Sequence, residues 1–268
     1  MQLAPGAVLV TVPGGRLALR TPDGRFLGVD TAGTDPAALV ARLTTDGKGA
    51  GDPELDRLAA AFADAGHALP EAPPRPLAGR TVAVLGDADL TEPLARCVRD
   101  AGGDVRHTTV AEAATLDPAR TAVVWCLDGP VPPGGWDEAD RLLPARGTAW
   151  LRTHREGRHA WLEPLATAPG DVTSAHIRLR RLAATPAHRE LAAYWAGHRT
   201  PDETPRHTEA SAALTAALLT GDLLAWASGA PLPVRRRLRR LDLADLTVSE
   251  HPVLPVPDVA PIERGRSA

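Results

Sequence analysis

The sequence predicts an α/β chain in two parts: a small N-terminal module of three short antiparallel strands plus helices, then a larger body built on a parallel sheet. Three features predict it. Apolar and polar residues alternate through the first 30 positions, the period of half-buried strands. A proline-rich stretch, "PEAPPRPLAG" at 70–79, then breaks the pattern and suits a stiff linker, since proline neither continues a helix nor donates to a sheet. Beyond it, short apolar strands alternate with helices, the rhythm of a parallel sheet covered on both faces. The expected domains are 1–69 and 80–268, with 70–79 between them.

Within the first module, "AVLVTV" (7–12), "RLALR" (16–20) and "RFLGV" (25–29) are separated by "PGG" and "TPDG", both turn chemistry, so three antiparallel strands follow. "DPAALVARL" (35–43) and "DPELDRLAAAFADAG" (52–66) each open with Asp-Pro, a cap followed by a residue suited to the first helical turn. The second helix places Leu55, Leu58, Phe62 and Ala65 on one face. Strands and helices in this order make a winged-helix-like module.

In the body, "TVAVLGD" (81–87) is a strand, 90–101 a helix, "DVRHTTV" (104–110) a strand, and 111–116 a short helix. "TAVVWCLDG" (121–129), a helix over 136–146 and "TAWLRTH" (148–154) continue the alternation. A hairpin then turns at "REGR" (155–158), and helical stretches follow at 172–184 and 186–197. The segment 209–229 is apolar on nearly every side, so it belongs in the core or in a dimer interface. "RRLDLADLTVSEHPVLPVP" (239–257) ends the pattern as a strand and an extended tail.

Composition narrows the function. Of 30 basic residues only Lys48 is lysine; with abundant Ala, Gly and Pro this arginine bias reflects G+C-rich coding, and the formal net charge is −3, so arginine count does not argue for nucleic acid. Cys97 and Cys126 sit in apolar surroundings, fit small buried thiols and suit a reducing cytoplasm. No basic segment followed by an apolar core opens the chain, and no uncharged apolar run reaches the roughly 18–20 residues of a membrane span. A cytoplasmic protein without membrane contact is expected.

The glycine turn after the first body strand invites a nucleotide, but only Gly86 stands in register with a dinucleotide fingerprint; Ala88 and Thr91 take the other glycine places. Asp87 and Asp89 put carboxylates where helix N–H groups would hold a phosphate, and "VRHTTV" ends without an acid for a ribose hydroxyl. Arg106 and His107 at that strand end are read as solvated. No cofactor is expected. His154, His159 and His176 lack partners at zinc spacing and are read as surface residues, so no metal is expected. No nucleophile elbow and no Cys beside a base occurs, so no catalytic residue is assigned. The candidate recognition helix carries Asp52, Glu54, Asp56 and Asp64 against Arg57, which repels DNA phosphate, and "RRRLRR" (235–240) is read as a solvated turn.

Peptide binding remains. The strand "GRFLGV" (24–29) is an edge strand beside an amphipathic helix, and an extended peptide can add to such an edge while its side chains fill the groove. The candidate peptide-binding residues are Arg25, Phe26, Leu27, Val29, Arg57, Leu58 and Phe62, the two arginines suiting an acidic peptide.

Two stretches of the chain resemble known families. The first 70 or so residues resemble the PqqD-like recognition element of enzymes that modify ribosomally made peptides. The rest is similar to degenerate, Rossmann-like members of the ThiF/ubiquitin-activating family that partner YcaO cyclodehydratases in thiazole/oxazole and thiopeptide pathways. "EPLATAPGDVTSAHIRLRRLAATPAHRELAAYWAG", "EASAALTAALLTGDLLAWASG" and "LDLADLTVSEHPVLPVP" carry that likeness. Relatives place a zinc-binding C-x-x-C pair where this chain has Ala175 and Arg178, and a second where it has Val259 and Ile262, so zinc is not carried over. The resemblance implies a non-catalytic protein, homodimeric through 209–229, that binds a precursor's leader peptide and presents it to a separate ATP-using cyclodehydratase. The alternatives left open are an adenylating ThiF-like enzyme, a presenter for a Ser/Thr dehydratase, and a winged-helix DNA-binding regulator.

Overall fold

A computed structural model describes residues 1–31, 33–44, 52–69, 74–132, 135–200 and 207–257. The chain divides into two units, Met1–Pro74 and Arg75–Ala268.

In the first unit β1 (Gln2–Leu3) is followed by β2 (Val8–Thr11), β3 (Leu17–Arg20) and β4 (Phe26–Val29), then α1 (Pro36–Thr44), α2 (Pro53–Asp64) and β5 (Ala68–Leu69). Strands β2, β3 and β4 form an antiparallel sheet in that order, and β1 pairs with β5 in a separate two-stranded ribbon that local pattern did not announce. Both Asp-Pro pairs act as caps: the Asp35 carboxylate accepts from the Ala37 N–H at 3.1 Å and Asp52 from the Glu54 N–H at 2.9 Å. Alternation sends Leu17 and Leu19 inward from β3, and Leu17 packs with Leu39 and Leu43 of α1 and Ala59 of α2.

The second unit begins within the proline-rich stretch. Pro76–Gly79 form a turn whose Leu77 is fully buried and donates its N–H to the Ala101 carbonyl; residues 70–73 of the expected linker lie outside the described residues. Then follow β6 (Thr81–Gly86), α3 (Ala88–Asp100), β7 (Asp104–His107), α4 (Val110–Ala113), a 3-10 turn at Pro118–Arg120, β8 (Thr121–Cys126), α5 (Asp137–Ala145), β9 (Ala149–Glu156) and β10 (His159–Leu162). After these come α6 (Ser174–Ala183), α7 (His188–Trp195), α8 (Glu209–Ala227), α9 (Leu232–Arg235), β11 (Arg237–Asp242) and β12 (Val248–Pro252).

The sheet order is β12-β11-β10-β9-β8-β6-β7. Strands β7, β6, β8 and β9 run parallel as expected, the hairpin expected at 155–158 is β9–β10, and β11 and β12 continue the sheet antiparallel beyond it. The C-terminal pattern, read as one strand, is a β11–β12 hairpin. On the central strands successive side chains feed two cores: Val82, Val84 and Val124 pack with α3 and α8, and Ala83, Val123 and Trp150 with α5. Helix α8 is long and apolar enough to cross a membrane by length and composition, but it buries Ala212, Ala216, Leu219 and Leu223 in the first of those cores. The architecture is a Rossmann-type α/β body with a small antiparallel module before it.

Candidate functional site

Strand β4 lies at an edge of its sheet, because its described pairing is to β3 alone. Hydrogen-bonding pairs alternate along an antiparallel ladder. The Thr21 N–H donates to the Arg25 carbonyl at 2.8 Å, which makes 21/25, 19/27 and 17/29 the bonded pairs. Phe26 and Gly28 therefore direct their N–H and C=O groups to the open edge. A Cβ at Gly28 would meet no atom within 4 Å, so the face beside that edge is open.

Below the edge, between β4 and α2, runs a groove of about 230 Å³. Its walls include Leu19, Leu27 and Val29 from the sheet and Leu58, Ala61 and Phe62 from the helix. The i, i+3, i+4 spacing of α2 turns Leu58, Ala61 and Phe62 to one side, and the period of two in β4 turns Leu27 and Val29 to meet them. Exposed Ala61 leaves the groove open, since a longer side chain there would fill its mouth.

Of the residues expected to bind peptide, Leu27, Val29, Leu58 and Phe62 line this groove together. Phe26 points from the opposite face of the sheet, 63% exposed. Arg25 is exposed just before β4, and Arg57 projects to solvent, paired with Glu54 at 2.7 Å. Ala61 was missed because alanine in a helix carries no signal beyond propensity.

The crevice at the carboxyl ends of β6 and β8, where open α/β sheets commonly bind ligands, is built differently. Gly86 has φ +104°, and a Cβ there would sit 1.8 Å from the Cys126 carbonyl oxygen, so glycine is required by the neighbouring strand. The Asp87 carboxylate accepts from the Asp128 N–H at 2.6 Å. Asp128 in turn accepts from Arg155 at 2.8 Å and from the His207 N–H at 3.3 Å. Burial lowers the His207 pKa, Asp128 opposes this and Arg155 adds to it. Burial and the Asp87 charge push the Cys126 thiol up to about 12. This is a lattice of carboxylates tied to backbone and guanidinium, with two acidic side chains where a phosphate would approach.

Arg106 and His107 are exposed as expected, but several charged groups of the body are internal, among them His154 and part of the "RRRLRR" run that were read as solvated. The His154 side chain is only 6% exposed, between Glu156 and Glu163. Arg152, fully buried, donates to Ser174 at 3.0 Å and to the carbonyls of Pro164 and Val172, with Glu163 at 2.8 Å and Asp140 at 3.2 Å. The "RRRLRR" run is corrected from a turn to the end of α9 and strand β11. Arg235 pairs with Asp171, and Arg237 and Arg239 converge on buried Asp222 of α8. At the positions matching the C-x-x-C pairs of similar sequences, Ala175 is exposed and Arg178 lies 5.7 Å from the Trp195 ring centroid, whereas Val259 and Ile262 are outside the described residues. Among the described residues no group of three or more His, Cys, Asp or Glu is arranged to hold a metal ion.

The fold resembles that of the heterocyclase TruD. That likeness has a TM-score of 0.65 at 16% identity over 96% of this chain and 42% of the TruD chain. The chain thus spans about two-fifths of that protein. A chain of the E. coli microcin synthetase McbBCD complex matches with a TM-score of 0.51 at 12% identity over 96% of this chain and 98% of that one. E. coli MccB gives 0.52 at 8% identity over 96% and 95%. At these identities the likeness is one of fold. The sequence matches no protein-family model and no curated protein.

Proposed function

We propose that this chain is a non-catalytic partner protein that binds the leader of a ribosomally made precursor peptide and presents it to a separate modifying enzyme. The observation that carries this reading is the open β4 edge above the apolar β4–α2 groove. Backbone groups of Phe26 and Gly28 would hydrogen-bond an added strand, and alternate side chains of that strand would enter the groove. The enzyme served is a YcaO-type cyclodehydratase: the side chain of Cys, Ser or Thr adds to the preceding amide carbon, ATP phosphorylates that amide's oxygen, and the oxygen leaves as phosphate as the azoline C=N forms. This assignment draws on the fold shared with TruD, named a heterocyclase, and with a chain of a microcin synthetase solved with pro-MccB17 bound. The contribution of this chain is proximity, raising the local concentration of the core peptide at the enzyme.

The carboxylates of Asp87 and Asp128 at the crevice favour this reading over adenylation, because they would repel a triphosphate. Titration of a labelled leader, made from a short open reading frame beside the gene, tests the reading, with ATP titrated separately. Saturable leader binding without ATP binding is expected. ATP binding without leader binding would overturn the reading in favour of the adenylating enzyme.

A further inference from the structure

We infer that the β4 edge reads charge as well as apolar shape, selecting a leader segment that alternates aliphatic residues with acidic ones; this rests on the peptide-binding reading above. The register supports it. On the face of the sheet away from the groove, cross-strand rows set Val8, Arg20 and Phe26 side by side, with Ala18 and Gly28 in the row after next. Phe26 is 63% and Val8 49% exposed, so this face combines open apolar surface with arginine.

Arg20 and Arg25 are the available charges at the Phe26 end. The ion pairs of this unit, Arg42–Asp56 and Arg57–Glu54, use other arginines, and among the described residues Arg20 and Arg25 have no carboxylate partner. The Arg20 guanidinium reaches over Gly24, 3.7 Å from where a Cβ would stand, and so extends from β3 toward the start of β4. Glycine at positions 24 and 28 leaves that path low. A strand added to β4 sends successive side chains to opposite faces. When its aliphatic residues enter the groove between Leu27 and Leu58, the intervening residue emerges beside Phe26 on the face that carries Arg20, while Arg25, one residue along, stands on the groove face at the same strand end. A carboxylate there forms charge-assisted bonds, while Phe26 covers its methylenes. The occupant is therefore an aliphatic–acidic–aliphatic segment of the precursor.

A displayed library of random dodecapeptides, panned against the full chain and its variants, tests this. Peptides alternating Leu, Ile or Val with Asp or Glu are expected to enrich, and the acidic preference should vanish in Arg20→Gln/Arg25→Gln while the aliphatic preference stays. For an enriched peptide, Glu→Gln or the double arginine variant should weaken binding by roughly two- to tenfold at low salt, and the two effects should not add. Ala61→Gln, which fills the groove mouth, should remove all enrichment. Aliphatic enrichment sensitive to Ala61→Gln but without acids, or acidic enrichment indifferent to the arginines, would overturn the charge inference and leave the groove standing. No enrichment, or enrichment indifferent to Ala61→Gln, would overturn the peptide-binding reading and this inference with it.

Discussion

Arg181 on α6 donates two hydrogen bonds to Glu156 at the end of β9, at 3.1 and 2.5 Å, while its guanidinium lies 4.1 Å from the Trp161 ring centroid. Trp195 of α7 donates its indole N–H to the same carboxylate at 2.7 Å. One acidic side chain thus gathers the β9–β10 hairpin and two helices. Arg181→Met should keep the stem packing but take from Glu156 its guanidinium partner, at a cost of about 2–4 kcal/mol. Urea unfolding of both proteins would measure it; a change under about 0.5 kcal/mol would show the pair to be dispensable.

The pH dependence of that knot has a definite sign. Burial acts to raise the Glu156 pKa, but hydrogen bonds from His154 and Arg181, then their charges, outweigh it and hold the carboxyl well below the usual carboxylate range. A folded pKa below the unfolded one gives stability that is complete above the unfolded value of about 4.3 and lost as pH falls toward the folded value. Urea midpoints should therefore drop more steeply between about pH 5 and pH 3 in the parent than in Glu156→Gln. Parallel profiles would remove Glu156 as the cause.

Asp222 sits in the middle of an apolar helix and accepts two hydrogen bonds from Arg239, at 2.7 and 2.8 Å, and one from Arg237 at 3.0 Å. Asp222→Leu should destabilise by about 3–5 kcal/mol, because it strands a buried guanidinium. Thermal melts would report it. A neutral or stabilising result would mean that Glu250, which also pairs with both arginines, suffices.

Gly28→Pro separates strand addition from groove packing. Its N–H faces the open edge, outside the β3 ladder, and a proline is tolerated on an edge strand. The variant should melt within a few degrees of the parent and lose at least about tenfold in leader affinity, since a donor disappears and a ring blocks the approach. Unchanged affinity would show that the peptide does not pair with β4.

Cys126, buried and with its thiol pushed up to about 12, should resist maleimide in the folded chain, while the half-buried Cys97 labels first. Mass spectrometry of the singly labelled protein would locate the adduct. Modification of Cys126 before Cys97 would show that β8 opens readily.

Much of the first unit was legible because its signals are local. "TPDG" and the Asp-Pro caps act within four residues, and β2–β4, α1 and α2 stand within a few residues of where the pattern put them. The groove was legible for the same reason, since Leu27, Val29, Leu58 and Phe62 follow from periods of two and 3.6. What failed depends on distant partners. Arg235 finds Asp171 64 positions away, and Arg158 finds Asp242 84 positions away, so no window reveals that these charges are paired. The β9–β10 hairpin was legible from its turn at 155–158, but the β11–β12 hairpin that extends it was hidden, because charged Arg237 and Arg239 break the apolar run that marks an inner strand, and their neutralisation lies on α8.

Asp87 shows how firmly the crevice is committed. Its carboxylate, hydrogen-bonded to the main chain beyond β8, joins the turns that follow two adjacent strands. An engineer hoping to graft a phosphate loop onto this body would have to remove that tie, and would gain no space by doing so, because the Cys126 carbonyl still presses on Gly86. Recruiting a new anionic ligand here demands several coordinated changes, each harmful before the last is made. If the β4 edge holds a peptide as proposed, diversification is easier there, because exposed Phe26 and Ala61 can change without disturbing the buried scaffold.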